Sequence, residues 1–319
     1  MAEQPAANAP RSKLGIATTS YMGVWRPQDT MEFLEHCNKL GAAGIQAPIH
    51  GDPVQLRRRA EELGMYIEAW TQLPQNGDTS AFKQSLKVAQ AAGAIALRTA
   101  CLGSRRYETF KALEQWRDFV QSSNASIAAA LPTLDQYKIP LGLENHKDWT
   151  ADEMHALLDK HSSEFLGVCL DFGNNISLLD DPMYVVEKLA PYTVSTHLKD
   201  MAVEPCTDGF LLSEVMLGSG MLDLQRMIAL VRQARPRTRF SLEMITRDPL
   251  NVPCLEDGYW VTFPERSGLY LERTLRLVEK QRARDPLPRV SQMDREQQLH
   301  TEEENVAACV RYANAHLQL

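Results

Sequence analysis

Four ionisable side chains stand in or directly after short apolar runs that are separated by helix-length stretches of chain. These side chains are Glu144, Asp171, His197 and Glu243. Three carboxylates and one imidazole make an oxygen-rich donor set, which suits a hard divalent ion better than a structural zinc site. The four residues are therefore predicted to bind one divalent metal ion.

The donor types also indicate which ion and which chemistry to expect. One imidazole among carboxylates shifts the preference toward Mn²⁺, with Mg²⁺, Co²⁺ and Zn²⁺ as alternatives. Such an ion can bind a carbonyl oxygen and a neighbouring hydroxyl and stabilise an enediolate. Glu144 and Glu243 come from different runs, so we predict that they approach a substrate from two sides as acid and base. Asp171 and His197 are predicted to act as ligands only.

Further residues near the same strand ends are candidates for binding substrate. They are His50, His146, Lys199, Arg247 and Trp70. The two cations suit an oxyanion or a carboxylate, and the indole suits the face of a sugar. Each of these residues also has a purely structural alternative. Lys199 can pair with Asp200 or Glu243, and Arg247 can pair with an acid in its loop. The two histidines can orient a carboxylate, and Trp70 can pack in the core.

The apolar runs belong to a series of eight strand-like segments, each followed by a helix-forming segment. The strands are predicted at 14–19, 44–49, 65–73, 94–102, 140–146, 166–172, 193–198 and 239–245. Helix boundaries are clearly marked. Asp52 and Pro53 begin the second helix and Gly64 ends it, and Thr150 forms a capping box with Glu153. After the seventh strand, a longer loop is expected before a helix at 222–234.

This alternation predicts an α/β fold, a single-domain (β/α)8 TIM barrel with a C-terminal extension. The C-terminal ends of barrel strands surround one mouth, which would bring the four ligands together. An open doubly wound sheet would need a glycine-rich phosphate loop after the first strand, and residues 18–23 contain no GxGxxG. We expect a flexible segment at 1–13, the barrel at 14–284 and the extension at 285–319. The extension is expected to form one helical turn at 306–310 and to pack on the barrel or on a neighbouring subunit.

The composition excludes several classes of function. The net charge of −7 over 319 residues leaves no strongly basic surface for nucleic acid. The six cysteines form no CxxC pair, which favours free thiols. No secretory signal or membrane-length apolar run is present in the sequence, so we expect a cytoplasmic protein without a membrane partner. The aromatic loop at 249–264 and the C-terminal extension offer surface for a homo-oligomer.

At the four predicted ligands the chain resembles the sugar phosphate isomerase and epimerase superfamily, the xylose-isomerase-like barrels. The resemblance covers about residues 14–280. The metal quartet of that family matches the four predicted ligands, and the His-Leu-Lys-Asp stretch at 197–200 is also similar. Ketose 3-epimerases of this group carry a substrate-binding histidine and arginine where this chain has Asn174 and Val203. The endonuclease-four group needs further ligands for three zinc ions, and only His50 and His146 are available.

The resemblance implies a divalent-metal-dependent isomerase or epimerase of carbohydrate metabolism. Its substrate would be a small sugar or sugar-derived keto compound that reacts through a metal-stabilised enediolate. The same intermediate can lose water or arise by loss of CO₂, so a dehydratase or decarboxylase acting on a keto-sugar or sugar acid is the alternative. Lys199 and Arg247 near the mouth could neutralise an acid substrate, so a lyase stays an alternative. A third possibility is a sugar-binding module without catalytic activity.

Overall fold

The computed structural model describes residues 12–266 and 268–319. Eight parallel strands close into a barrel: β1 (Leu14–Ala17), β2 (Gly44–Ala47), β3 (Tyr66–Trp70), β4 (Ala96–Thr99), β5 (Leu141–Glu144), β6 (Leu166–Asp171), β7 (Thr193–Leu198) and β10 (Phe240–Leu242). β1 pairs with both β2 and β10, which completes the ring. The predicted eight-stranded (β/α)8 barrel is therefore confirmed. The expected flexible segment at 1–13 lies outside the described residues, except for Ser12 and Lys13.

Helices alternate with the strands and surround the barrel. They are α1 (Thr30–Lys39), α2 (Pro53–Leu63), α3 (Ser80–Ala91), α4 (Arg106–Thr109), α5 (Leu113–Tyr137), α6 (Ala151–His161), α7 (Pro182–Leu189), α8 (Leu224–Ala234), α9 (Asp257–Trp260), α10 (Gly268–Lys280) and α11 (Arg295–Tyr312). The cap residues act as predicted. The Asp52 carboxylate accepts from the first turn of α2, Gly64 ends that helix with φ 64°, and Thr150 and Glu153 form the capping box of α6.

The N-terminal end of the barrel is filled by an aromatic ring. Tyr66, the first residue of β3, donates its hydroxyl proton to the Phe240 carbonyl oxygen at 3.1 Å. Gly15 and Gly44 make room for it, since a Cβ on Gly15 would lie 2.1 Å from the Tyr66 oxygen and one on Gly44 2.5 Å from the ring. This end is closed by packing, and the four predicted ligands lie at the opposite end, where the strands finish.

The connection after β7 differs from the predicted loop. It forms a hairpin of β8 (Asp200–Cys206) and β9 (Gly209–Val215), which pairs with β11 (Leu250–Val252) in a three-stranded antiparallel sheet. The hairpin turns through Thr207 and Asp208, and a signal was present in the sequence, because Asp and a following Gly are typical of tight turns. Since β8 follows β7 and β11 follows β10, this small sheet stands beside the barrel mouth.

Residues 306–310 of the C-terminal extension are helical as expected, but they belong to a helix much longer than the single turn predicted. Helix α11 has 18 residues and begins with a capping box formed by Asp294 and Gln297. Glu302 is buried, and its carboxylate accepts from the backbone N–H groups of Val24 and Trp25 at 2.8 and 2.7 Å. The extension therefore packs on this barrel, against the loop that follows β1.

The cysteines and the helices of the described residues bear on two expectations drawn from the sequence. All six cysteines are free thiols, as expected, and four of them are buried. Within the described ranges, no helix has both the length and the apolar character that a bilayer-spanning segment requires.

Candidate metal centre

The four predicted ligands converge at the C-terminal end of the barrel. Glu144 and Asp171 are the last residues of β5 and β6, His197 lies in β7, and Glu243 directly follows β10. One possible ligand atom from each side chain lies within 4.8 Å of the others. All four residues are buried, with at most 3% of their surface exposed. Four separate strands thus point their side chains at one small volume.

The orientation of His197 leaves one ring nitrogen facing the carboxylates. Its Nε2 lies 2.5 Å from Oε1 of Gln46, whose amide nitrogen donates to Glu68 at 2.9 Å. The amide oxygen of Gln46 therefore accepts the Nε2 proton. Burial opposes a charge on the ring, but Glu243 and Glu144 outweigh it and hold the pKa of His197 well above its ordinary value, so a metal ion would have to displace a proton from Nδ1. Nδ1 lies 3.3 Å from Glu144, 3.7 Å from Asp171 and 3.3 Å from Glu243. Among the described residues it has no hydrogen-bond partner, although it is buried.

The carboxylate of Asp171 is held by the loop that follows it. Its Oδ1 accepts from the backbone N–H groups of Gly173 and Asn174 at 2.9 and 2.7 Å. The backbone N–H and carbonyl of Asp171 bond the Asn145 side chain, both at 2.8 Å. Oδ2 is left pointing toward His197 and lies 2.8 Å from Nζ of Lys199. One oxygen fixes the side chain, and the other is directed into the site.

Each glutamate is paired with a cation. Arg98 contacts Oε2 of Glu144, and Lys199 contacts Oε2 of Glu243. The amide nitrogen of Asn174 donates to Oε1 of Glu144 at 3.1 Å. The cations hold the two carboxylates in place and leave Oε1 of each glutamate facing Nδ1 of His197.

These contacts keep both glutamates ionised. Burial alone would raise the pKa of Glu144, but Arg98 and His197 outweigh it and hold that pKa well below the usual range. Burial likewise opposes ionisation of Glu243, and His197 and Lys199 again lower its pKa. Carboxylates that stay charged when buried are suited to ligating a cation.

The side chains therefore fit a divalent ion. Three carboxylates and Nδ1 of His197 face one another, and the buried Nδ1 has no hydrogen-bond partner among the described residues. The donor set is typical of a hard or borderline ion. Manganese as the preferred ion remains a prediction.

A cavity of about 830 Å³ opens over the cluster at the barrel mouth. Among the candidate substrate-binding residues, His50, Trp70, His146 and Arg247 line it. The guanidinium of Arg98 lies 4.8 Å above the Trp70 ring, so the indole supports a residue that contacts Glu144. Burial and the neighbouring Lys147 lower the pKa of His146 to about 4, which keeps its ring neutral.

The two candidate cations are already paired with carboxylates. Lys199 is buried against Asp171 and Glu243, and the Glu243 pair is one of the structural alternatives left open by the sequence. Arg247 forms a two-pronged pair with Glu214 of β9, at 3.1 and 2.5 Å. The small sheet thus supplies a carboxylate that fixes Arg247 at the cavity wall.

Sequence reasoning missed several residues of the site. Gln46 and Arg98 contact the predicted ligands from β2 and β4, Glu68 of β3 accepts from Gln46, and Lys147 lines the cavity. Lys147 was detectable, because it lies three positions after Glu144 in the loop that follows β5. The other three lie within β2, β3 and β4, where a polar residue gives no sign of its partner until the register between strands is known.

A family model described as xylose isomerase-like TIM barrel matches residues 28–261. A curated relative is 3-oxo-isoapionate decarboxylase of Pectobacterium atrosepticum, 28% identical over 243 residues, which cover 71% of this chain and 82% of the relative.

Solved structures show the same fold at lower identity. A xylose isomerase-like TIM barrel protein of Mycobacterium smegmatis in complex with magnesium is 16% identical, with TM-score 0.55 over 83% of this chain and 99% of the other. An L-ribulose 3-epimerase is 17% identical, with TM-score 0.54 over 86% and 99%. The matched family model spans most of the barrel. The chain therefore belongs to the xylose isomerase-like TIM barrel family.

Proposed function

We propose that this protein is a divalent-metal-dependent decarboxylase that acts on a 3-oxo sugar acid. The observation that carries the proposal is the set of cations around the ligand cluster. Three ligand carboxylates and Glu214 are accompanied by four basic side chains: Arg98, Lys147, Lys199 and Arg247. These four negative and four positive charges balance, and a divalent ion that displaces the proton from Nδ1 of His197 would leave two positive charges in excess. An acid substrate compensates such an excess better than a neutral sugar does.

Two further buried carboxyls reduce this excess without removing it. Burial raises the pKa of Glu68 and that of Asp148 to about 7 each, so at pH 7 each is about half ionised and together they carry about one negative charge. Glu68 lies behind Gln46, and Asp148 accepts from the backbone N–H of Leu102 at 3.1 Å. Neither is paired with one of the four basic side chains.

The contacts of the glutamates favour decarboxylation over the isomerase or epimerase chemistry that the sequence first suggested. Epimerisation needs a base with a free oxygen that removes a proton from carbon. Arg98 contacts Oε2 of Glu144 and Lys199 contacts Oε2 of Glu243, while Oε1 of each faces Nδ1 of His197, so neither carboxylate has an uncommitted oxygen. Decarboxylation removes no proton from carbon. The curated decarboxylase relative supports the same choice.

The reaction needs a group that accepts the electron pair of the bond that breaks. A divalent ion bound by the four ligands would supply a Lewis acid that stabilises negative charge on a substrate oxygen. In a 3-oxo acid, the bond between the carboxylate carbon and C2 breaks, its electron pair moves toward the C3 carbonyl, and CO₂ leaves. C2 then takes up a proton, which gives a ketone one carbon shorter.

The protein's own residues prepare this step. Arg98 and Lys199 keep Glu144 and Glu243 deprotonated and fixed as ligands. Gln46 keeps Nδ1 of His197 directed at the carboxylates. Arg247, fixed by Glu214, presents positive charge to the cavity, where it can orient an acid substrate. The buried surroundings reduce screening by water, which strengthens these interactions.

The test is a comparison of two reactions catalysed by one preparation. Purified protein is stripped of metal, reloaded in turn with Mn²⁺, Mg²⁺, Co²⁺ or Zn²⁺, and assayed for CO₂ release from 3-oxo sugar acids. Parallel samples in D₂O measure deuterium exchange into ketoses. We expect metal-dependent CO₂ release that Glu243→Gln abolishes and that the exposed control Glu279→Gln retains. Exchange into a ketose without CO₂ release from any acid would instead identify an isomerase or epimerase, and water loss would identify a dehydratase.

A further inference from the structure

Lys147 differs from the other basic residues of the site because it has no acidic partner. Arg98, Lys199 and Arg247 each form an ion pair with a buried carboxylate. Within the described chain, Lys147 has no carboxylate at ion-pair distance, and its ammonium donates to the amide oxygen of Asn174 at 2.5 Å. The residue is nevertheless buried, with 4% of its surface exposed, and it lines the cavity.

The position of Lys147 places it beside the metal ligands. The Asn174 amide that accepts from Lys147 also donates to Oε1 of Glu144 at 3.1 Å. Lys147 and Glu144 thus contact opposite ends of one amide group. An anion bound by Lys147 would lie close to a group bound at the ligand cluster.

The charges facing Lys147 leave its ammonium short of negative charge. Burial lowers its pKa most, and the positive charges of Lys199 and Arg247 lower it further, while Glu214 and Asp171 act in the opposite direction from a distance. The resulting pKa is about 8, so the side chain is still mostly protonated at neutral pH. Burying a charge without a partner is costly, and an incoming anion would remove much of that cost.

We infer that Lys147 and Asn174 form a subsite for the carboxylate of the substrate, at the wall of the cavity beside the ligand cluster. The inference rests on the proposed function in taking the substrate to be an acid. The ammonium group binds the carboxylate, and the Asn174 amide fixes the ammonium. A substrate whose carbonyl reaches the ligand cluster would then place its carboxylate, the group to be lost, against Lys147.

A sugar phosphate would also offer an anion, but its charge lies elsewhere in the molecule. The phosphate is carried on a terminal carbon, commonly several bonds from the reacting carbonyl. The carboxylate of a 3-oxo acid is separated from its carbonyl by a single carbon. Because Lys147 is only one amide group away from Glu144, the short separation fits this subsite better.

The test measures binding and does not depend on turnover. Metal-loaded protein is titrated calorimetrically with an aldonate that has no 3-oxo group, with the alditol of the same carbon skeleton, and with the corresponding aldose phosphate. The variants are Lys147→Met, which removes the charge, and Lys147→Arg, which keeps it. Lys87→Met, on the exposed face of α3, is the control. Melting temperature and metal affinity of each variant establish that the fold and the cluster are intact.

We expect the wild type to bind the aldonate at least about tenfold more tightly than the alditol. Lys147→Met should lose that preference, Lys147→Arg should retain part of it, and Lys87→Met should match the wild type. Unchanged aldonate binding by Lys147→Met, no aldonate preference in the wild type, or tighter binding of the phosphate would each overturn the inference. Lys147-dependent aldonate binding without CO₂ release from any 3-oxo acid would leave the subsite standing and reject the decarboxylase.

Discussion

The two halves of the barrel contribute different kinds of side chain to the same site. Strands β5, β6, β7 and β10 carry the predicted ligands, three carboxylates and one imidazole, at or directly after their C-terminal ends. Strands β2, β3 and β4 contribute Gln46, Glu68 and Arg98, which contact the ligands or one another from behind. One half presents the donors together with Lys199, which pairs with Asp171 and Glu243, and the other half fixes His197 and Glu144.

The two groups of residues differ in how readily each can be recognised in the sequence. The predicted ligands can be recognised in the sequence because each is an ionisable residue at the end of an apolar strand. The supporting residues lie inside strands and act across the barrel, since Gln46 and His197 are 151 positions apart. Perturbing either half should therefore change the metal affinity, but to different extents.

Removing a ligand should have the largest effect. In His197→Ala the cluster loses its nitrogen donor, and the three carboxylates that face it are left to repel one another. We expect metal affinity to fall by more than about 100-fold, beyond the 10- to 100-fold typical of residues that only support a ligand. Calorimetric titration with Mn²⁺ measures it, and His300→Ala, on exposed α11 surface, is the control. Retention of wild-type affinity would remove His197 from the ligand set.

Removing the residue that orients the ligand should cost less. Gln46→Leu keeps the approximate volume of the side chain but cannot accept the Nε2 proton of His197. The ring would then lose its fixed tautomer, and we expect metal affinity to fall by about 10- to 100-fold. The same titration measures it, with the exposed Gln90→Leu as the control. A loss as large as that of His197→Ala would mean that the two halves do not differ as described.

Glu68 should affect stability more than metal affinity. Burial raises its pKa from 4.5 to about 7, so the folded chain holds this proton more tightly than the unfolded chain does. Its contribution to stability is therefore lost as pH rises from about 4.5 to about 7. Relative to Glu68→Gln, the metal-free wild type should become less stable across that range by about 3 kcal/mol at most. Urea unfolding of both proteins at pH 5 and pH 8 measures the difference, and a constant difference would contradict the raised pKa.

The C-terminal helix should have the smallest effect on metal binding. Glu302→Ala leaves the buried N–H groups of Val24 and Trp25 without acceptors, which should cost about 1–3 kcal/mol of stability. Metal affinity should be unchanged, because Glu302 contacts the β1 loop and none of the ligands. Denaturant unfolding and metal titration are compared with those of Glu304→Ala, an exposed neighbour on the same helix. A parallel loss of metal affinity would couple the extension to the cluster.

Sequence patterns predicted the barrel and the meeting of the four ligands because strand ends and helix caps are local signals. The hairpin at 200–215 was predicted as a loop, although its turn at Thr207 and Asp208, followed by Gly209, is a local signal too. Helix α11 was underestimated because its most charged stretch contains Glu302, whose burial depends on backbone groups some 280 residues earlier in the chain. The support for His197 also depends on distant contacts, which no local pattern encodes.

The most direct test of the ligand cluster is a crystal structure of the protein loaded with Mn²⁺, with data collected to record the anomalous signal of the metal. We expect one ion per chain, bound by carboxylate oxygens of Glu144, Asp171 and Glu243 and by Nδ1 of His197, with Nε2 still bonded to Gln46. An ion bound elsewhere, or a His197 ring that ligates through Nε2, would contradict the division of roles between the two halves of the barrel.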